Sequence, residues 1–580
     1  SELRRFAHDA LEQYDRDVSS RSQWAEDHNR IAKDVKGERG TKSFPWMNAA
    51  NIKYPLIATA AVQFNARSYP AIVKGLDVVK PSIKGSDPKG KKTARASRVA
   101  GFMNDQFILQ MPEWDDDTDK MTMMLPIHGC MFRQVIWDET YSRPLTELIP
   151  ATALVVSQDA KSLETVHQFT KEFTEFPHEI IKKQRTGVYA DVDVQMTDRD
   201  ENAAQEMLEA HVRLDLDEDG YDAPWILIIH KDTETVLSMK AGVWPDGVVR
   251  DEEGDVLYVR RHVEFVKYDF MPDPDGGFLG VGFGFLLRDL SDTINTMVNQ
   301  LIDAGTDQIT GGGFVGRQAG LHSGTMEFEP GEWKMVNVMG GDLAQNIVPR
   351  PTAQPSEVMF NLLGLMIDAG KELASVRDVL TGEQQNANVP ASTTLAIIEQ
   401  GLQVFSAIYK RVYRSLTKEF KMGYDLNSAF LPAEQYQSFH DDEEAVVEND
   451  FNTKGYDICP VADPTVVTSA QRLGRSEYLN MFKGNPEIDQ RMLTKRQLEA
   501  AEIEDIDELM PDPTPEQIEE RKETKHLTRV AAITEIETDI AELEKLKAEI
   551  IKTHGEAKDE VERANERKAS ATEKQASSKL

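Results

Sequence analysis

Asp215-Leu216-Asp217-Glu218-Asp219-Gly220 is the run of this chain nearest to metal chemistry. Its alternating carboxylates and sixth-place glycine match the first half of a calcium loop. The twelfth place, where such a loop needs glutamate, is Ile226, so the metal reading rests on Asp215, Asp217 and Asp219 alone. The same residues read equally as an acidic hairpin connection. Asp115-Asp116-Asp117-Thr118-Asp119 suits the amino end of a following helix, with a metal as the alternative. Gly280-x-Gly282-x-Gly284 has a superficial likeness to a dinucleotide loop, but its third glycine comes too early and no βαβ unit surrounds it. It reads as a flexible lead-in to a helix. The chain has no Gly-Lys-Ser/Thr phosphate loop, His-Glu-x-x-His or Gly-x-Ser-x-Gly. Two cysteines, Cys130 and Cys459, build neither a disulfide framework nor a four-cysteine zinc site, leaving a reduced pair or one bridge. No catalytic constellation emerges, and no cofactor is expected.

Two polar clusters remain. Lys410, Arg411, Arg414, Lys418 and Lys421 crowd the back half of a helix. They either complement its carboxyl end or contact DNA or an acidic neighbouring subunit. Gln384, Gln385, Asn386 and Asn388 lie between two long helices, in a segment that is either a solvated loop or one projecting into something.

The elements that would carry these residues follow from pattern. A chain of 580 residues is too long for one core, and three or four domains are expected. Its 66 Lys and Arg against 99 Asp and Glu leave −33, which excludes wrapping DNA as its main business. A wall past which DNA slides remains open. The first residues lack the apolar core of a signal peptide, and apolar runs reach only about half a dozen residues, so a soluble protein is expected.

Leu3, Phe6, Ala10, Tyr14 and Val18 predict one amphipathic helix over the first thirty-odd residues, ending at Gly37 and Gly40. Leu56–Ser68 reads as helix until Pro70. Short strands are expected at Gly129–Asp138, Leu148–Val156, His211–Leu216, Trp225–His230, Val236–Ala241 and Leu257–Tyr268. A helix follows from Phe283 on Leu287, Leu290, Ile294, Val298 and Leu301, with Asn295, Asn299 and Asp303 on another face. It stops at Gly311-Gly312-Gly313. A small β insert leads to a returning helix on Val358, Leu362, Leu365, Ala369, Leu373 and Val376. A third long helix opens at Ser392, and Ile533, Ile536, Ile540, Leu543 and Ile550 form an a/d seam in the tail, broken by Lys547.

Phe44-Pro45-Trp46-Met47-Asn48-Ala49-Ala50-Asn51 with Tyr54-Pro55-Leu56-Ile57 resembles the amino-terminal signature of tailed-bacteriophage portal proteins, particularly those of short-tailed phages. Gly282-Phe283-Gly284 running into Asn295 and Asn299-Gln300-Leu301-Ile302-Asp303-Ala304-Gly305 resembles that family's first stem helix. Ala462-Asp463-Pro464-Thr465 with Ala470-Gln471-Arg472 is similar as well. The likeness extends patchily over residues 40–510.

The resemblance implies an α+β, multi-domain, predominantly helical fold. Residues 1–280 would be the wing, 281–308 the first stem helix, 309–355 the clip, 356–380 the second stem helix and 381–392 the tunnel loop. Residues 393–435 would be a long wing helix, 436–513 the crown, and 514–580 a barrel helix with a tail of open order. It further implies a non-enzymatic homo-oligomeric ring, usually of twelve subunits, at one capsid vertex of a virion, made in the host cytoplasm. The ring would pass double-stranded DNA in packaging and ejection. Its partners would be the large terminase subunit, a head–tail adaptor, and the major capsid and scaffolding proteins, with no membrane. Gln384, Gln385, Asn386 and Asn388 would line the tunnel, and Arg317, His322, Trp333 and Lys334 would face motor and adaptor. Lys371, Arg377, Lys410, Arg411 and Arg414 would touch the channel or a neighbour. Two rival readings are an acidic coiled-coil virion scaffold or tail component without a channel, and a metal-dependent hydrolase using its Asp-rich loops.

Overall fold

The computed structural model describes all but residues 1, 74, 76, 88–89, 193, 195–201, 217–219, 245–246, 255, 311–312, 316–346, 350–355, 374–390, 443, 453–457, 463–478, 480–482, 484–489, 501–508, 510–514 and 578–580. The fold is α+β and falls into two compact units, Ser1–Val466 and Val467–Leu580.

The expected first helix is two, α1 (Glu2–Ser20) and α2 (Ser22–Lys36), broken at Arg21. The break has a polar cause. The Arg21 guanidinium is buried and donates to the carbonyl oxygens of Ala151, Thr152 and Leu154 at 3.2, 2.7 and 2.9 Å. A cation out of water needs such partners. The buried face of α1 is Ala7, Ala10, Tyr14 and Asp17, whereas Leu3 and Val18 stay exposed; small alanines let the helix lie close on a sheet. Gly37 ends α2 in the left-handed conformation, φ 67°. Helix α3 (Leu56–Ile72) continues past Pro70, because Ala71 and Ile72 bury beyond it.

Strand β1 (Val79–Ile83) and helix α4 (Lys91–Asn104) lead through a π-helical turn, Asp105–Gln110, into α5 (Pro112–His128). Asp115 therefore lies in the first turn of α5, where negative charge suits the amino end, while Asp116, Asp117 and Asp119 lie further in and the cap is Met111. Asp115 accepts from the Tyr69 hydroxyl at 2.8 Å, Asp117 from the Leu148 amide at 3.2 Å and Asp119 from the Asn65 amide at 2.8 Å.

Strands β2 (Cys130–Asp138) and β3 (Arg143–Pro150) form one sheet; β4 (Leu154–Val156) and β5 (Phe169–Glu175) begin another. After α6 (Pro177–Arg185) come β6 (Gln205–Leu214), β7 (Ala223–His230) and β8 (Thr235–Ala241). The predicted Leu257–Tyr268 strand is two, β10 (Val256–Val259), which among the described residues pairs only with β9 (Val248–Arg250), and β11 (Phe265–Asp269). The sheets run β4-β5-β6-β7-β8 and β11-β2-β3, all antiparallel. Helix α1 covers one face of the five-stranded sheet and α6, through Ile180, the other.

Gly280, Gly282 and Gly284 prove to serve close approach, not a flexible lead-in. A Cβ on Gly282 would sit 2.5 Å from the Pro126 carbonyl oxygen and 2.7 Å from the Gly129 nitrogen, so the backbone here crosses the end of α5 without side chains between. From there α7 runs Phe283–Thr310. Strands β12 (Gly313–Val315) and β13 (Ile347–Pro349) pair antiparallel, bringing the chain back beside its exit point, and α8 (Glu357–Leu373) returns along α7. Helix α9 (Ala391–Phe430) spans 40 residues and buries Tyr409, Val412, Leu416, Phe420 and Tyr424. Helices α10 (Ala433–His440) and α11 (Val447–Asp450) and strand β14 (Ile458–Ala462), which pairs with β1, complete the first unit. The second unit holds α12 (Gln490–Ala500) and the 63-residue α13 (Pro515–Ser577). Among the described residues, no helix is long and apolar enough to cross a membrane.

Candidate functional site

Helix α7 turns its polar face onto the chain's own extended segment. Asn295 Oδ1 accepts from the Tyr54 amide and Asn299 Oδ1 from the Ile52 amide, both at 2.6 Å; Asp303 Oδ1 accepts from the Ala50 amide at 2.7 Å. Asn299 also donates to the Ile52 carbonyl oxygen at 3.0 Å. Three side chains four residues apart thus read alternate residues of an extended strap. The match is metrical: four helical residues rise about 6 Å and two extended residues about 6.6 Å. The strap signature around Phe44–Tyr54 and the Asn295–Asp303 face, separate in sequence, are one structural unit. Beside it, Arg30, Lys42, Trp46 and Lys53 face Asp292 and Asp303 across a cleft of 690 Å³. Its charges are paired, Arg30 with Asp292, Lys42 with Asp303 and Lys53 with Asp34, so the cleft carries no strong field. Phe44 lines the cleft while staying 79% exposed, and Met47 is exposed as well.

Helix α8 behaves oppositely. Leu363, Met366 and Ile367 pack on the core, and Gly370 fits where a Cβ would lie 2.9 Å from Leu56 and 3.2 Å from Leu290. The sequence stripe lies elsewhere: Val358 is 73% and Leu365 66% exposed, and Leu362, Ala369 and Leu373 are exposed too. The described residues of the sequence stripe thus stay in solvent, while Val376 lies outside the described residues. The helix is apolar on nearly every side, so periodicity alone could not choose the packed face.

Two buried polar networks escaped sequence reasoning. Glu419 of α9, wholly buried, accepts from Trp114 Nε1 at 2.7 Å, from Arg133 at 2.9 Å and from the Tyr268 hydroxyl. Arg133, equally buried, also donates to the Thr118 hydroxyl at 2.6 Å. This ties α9 to α5 and to the three-stranded sheet. The signal was a carboxylate at a core position of the Val412–Leu416–Phe420 stripe. The second network joins the two sheets. Gln134 donates to Glu209 at 2.9 Å and Glu264 at 3.4 Å; His211 meets Glu209 at 2.9 Å, and Lys171 reaches Gln134 and Glu147 at 2.7 and 2.6 Å. Burial, then the neighbouring Glu209, raises the Glu264 pKa; Glu209 is held low, its burial outweighed by His211 and Lys171. Carboxylates split in this way are what acid–base chemistry uses. Here His211 is buried with its ring stacked on Phe169, so the group is a seam between sheets.

The basic residues of α9 are not at its carboxyl end. The helix runs on to Phe430, and its last turn holds no cation. Lys410, Arg414, Lys418 and Lys421 line one exposed ridge, with Arg411 half-buried behind it; Lys371 of α8 is half-buried. Asp215 accepts from the Gly220 amide at 2.9 Å within a turn, while Asp217 and Asp219 lie outside the described residues. Among the described residues no three His, Cys, Asp or Glu side chains gather to hold a metal. Arg377, Gln384, Gln385, Asn386, Asn388, Arg317, His322, Trp333 and Lys334 also lie outside the described residues.

No family model matches the sequence, and comparison with curated proteins returns no match.

Proposed function

We propose that this chain is the portal subunit of a tailed bacteriophage, a non-enzymatic ring at one capsid vertex through which DNA is packaged and ejected. The observation that carries the reading is the helix–insert–helix unit, α7 with β12, β13 and α8, whose second helix keeps Val358, Leu362, Leu365 and Leu373 in solvent within a single chain. An apolar helix face this exposed calls for a neighbour, and copies arranged head to tail supply one around a ring. The docking of the Phe44–Tyr54 strap on the Asn295–Asp303 ladder supports the same reading, because the two stretches that resemble the family depend on each other physically. A net charge of −33 per copy suits a lumen that must not bind phosphate. In this reading α7 and α8 form the stem around the channel, Arg317, His322, Trp333 and Lys334 meet the motor and adaptor, and Gln384, Gln385, Asn386 and Asn388 touch the moving duplex without charge. The acidic coiled-coil scaffold is the second reading, favoured by the length of α13 and the exposure of Ile540, Leu543 and Ile550.

Negative-stain images of the purified protein separate the two. Closed rings of about a dozen copies with a central hole are expected for a portal. Two- to four-fold bundles that vanish on removing 514–580 would replace it with the scaffold.

A further inference from the structure

Two exposed features of the first unit carry opposite charge. The first is the α9 ridge. Lys410, Arg414 and Lys418 follow at four-residue steps, spanning about 12 Å of helix. They make no ion pair among the described residues. The second is the β9–β10 hairpin, whose turn carries Asp251, Glu252 and Glu253. Glu252 and Glu253 are exposed and likewise unpaired among the described residues. The hairpin has no third described strand, and Val256, Leu257 (59% exposed) and Tyr258 stand in solvent. A two-stranded hairpin is marginal by itself and needs an apolar neighbour.

We propose that the α9 ridge is the docking surface for the β9–β10 hairpin of a second copy of this chain. The carboxylates of the turn meet Lys410, Arg414 and Lys418, and exposed apolar side chains on one face of β10 cover the aliphatic stems beneath those cations. A nucleic acid is the poorer occupant. It would leave those apolar side chains uncovered, and a chain of −33 repels a polyanion at long range. A second copy is repelled as well, but brings opposite charge and apolar area to the same place. Because ridge and hairpin are different patches, the contact is heterologous and runs head to tail. It rests on the ring reading only for its closure.

The test uses the full chain in three variants: Arg414→Glu/Lys418→Glu, Glu252→Lys/Glu253→Lys, and all four changes together. Mass photometry at fixed ionic strength reads the concentration for half-assembly, and thermal unfolding checks that each variant folds. Each double variant is expected to raise that concentration about tenfold or more, and the fourfold variant to bring it back to within about threefold of wild type. Assembly indifferent to the double variants, or no recovery in the fourfold one, overturns the proposal. A monomeric wild type does the same. A ridge variant that assembles normally but loses affinity for a 30-base-pair duplex in fluorescence anisotropy overturns it in favour of nucleic acid. Filaments in place of rings, still governed by the charge exchange, would sustain this contact while removing the ring reading; rings indifferent to the exchange would do the reverse.

Discussion

Helices α7 and α8 lie side by side, yet spend their residues in opposite ways. The more polar α7 buries Asn295, Asn299 and Asp303 as well as Leu287 and Ile294, because each polar group has a backbone partner on the strap. The more apolar α8 hides only Gly370 fully and leaves four large aliphatic side chains in water. Burial here follows availability of a partner, not hydrophobicity. On α7 the partners belong to the same chain; for α8 the proposal is that they come from a second copy. Changes on the α7 side should therefore cost stability, and changes on the open face of α8 should cost association alone.

The largest loss is expected behind α7, where α9 is anchored. Arg133→Ala leaves Glu419 buried without its cation, and should lower unfolding free energy in urea by about 3–5 kcal/mol. A loss under about 1 kcal/mol would mean that the α9 anchor is not the ion pair.

Acid should act next, where α2 meets α7. His28 is stacked between Trp24 and His128 with Phe285 of α7 beside it. Burial, with His128 and Arg21 adding repulsion, lowers the His28 pKa to about 3, and burial lowers His128 to about 4. The unfolded chain therefore takes up two more protons than the folded one below about pH 6.5. This pair's effect is absent above that pH and grows as pH falls towards 4, by about 2–3 kcal/mol per pH unit. Asp17 opposes it, since burial raises its pKa to about 6 and protonation relieves it. Unfolding of His28→Phe against wild type from pH 7 to 4.5 isolates the His28 share: the variant should lose less stability, and parallel curves would show that His28 does not carry the effect.

Asn299→Ala comes third. It strands the Ile52 amide and carbonyl together, a cost of about 1–3 kcal/mol, with strap amides 50–54 gaining hydrogen exchange ahead of global unfolding. Uniform exchange across the strap and α7 would show that the ladder does not hold it.

What was legible in the sequence divides along the same line. The α7 stripe, its polar face and the stop near Gly311 could be read because one face is apolar and the other is not. The packed face of α8 could not, since most of its faces are apolar. The first helix hid its break because Arg21 looks like any surface arginine until the carbonyls of residues 151–154 come near it. Strands β1 and β14 pair across nearly 380 residues, and neither shows alternation. Glu419 was visible as a carboxylate in a core stripe, but its partners come from three distant elements. The glycines at 280, 282 and 284 were seen; their reason, a backbone crossing at the end of α5, was not.

The smallest expected effect on stability belongs to the open face of α8, where only association with a second copy should suffer. Mass photometry of the wild type beside Leu362→Asp/Leu365→Asp, with unfolding midpoints for both, compares association and stability in one experiment. A multi-subunit wild type and a monomeric variant are expected, with unfolding free energies within about 0.5 kcal/mol of each other when both are measured below the assembly concentration. A variant that assembles like the wild type, or one that unfolds before it dissociates, would contradict the proposal.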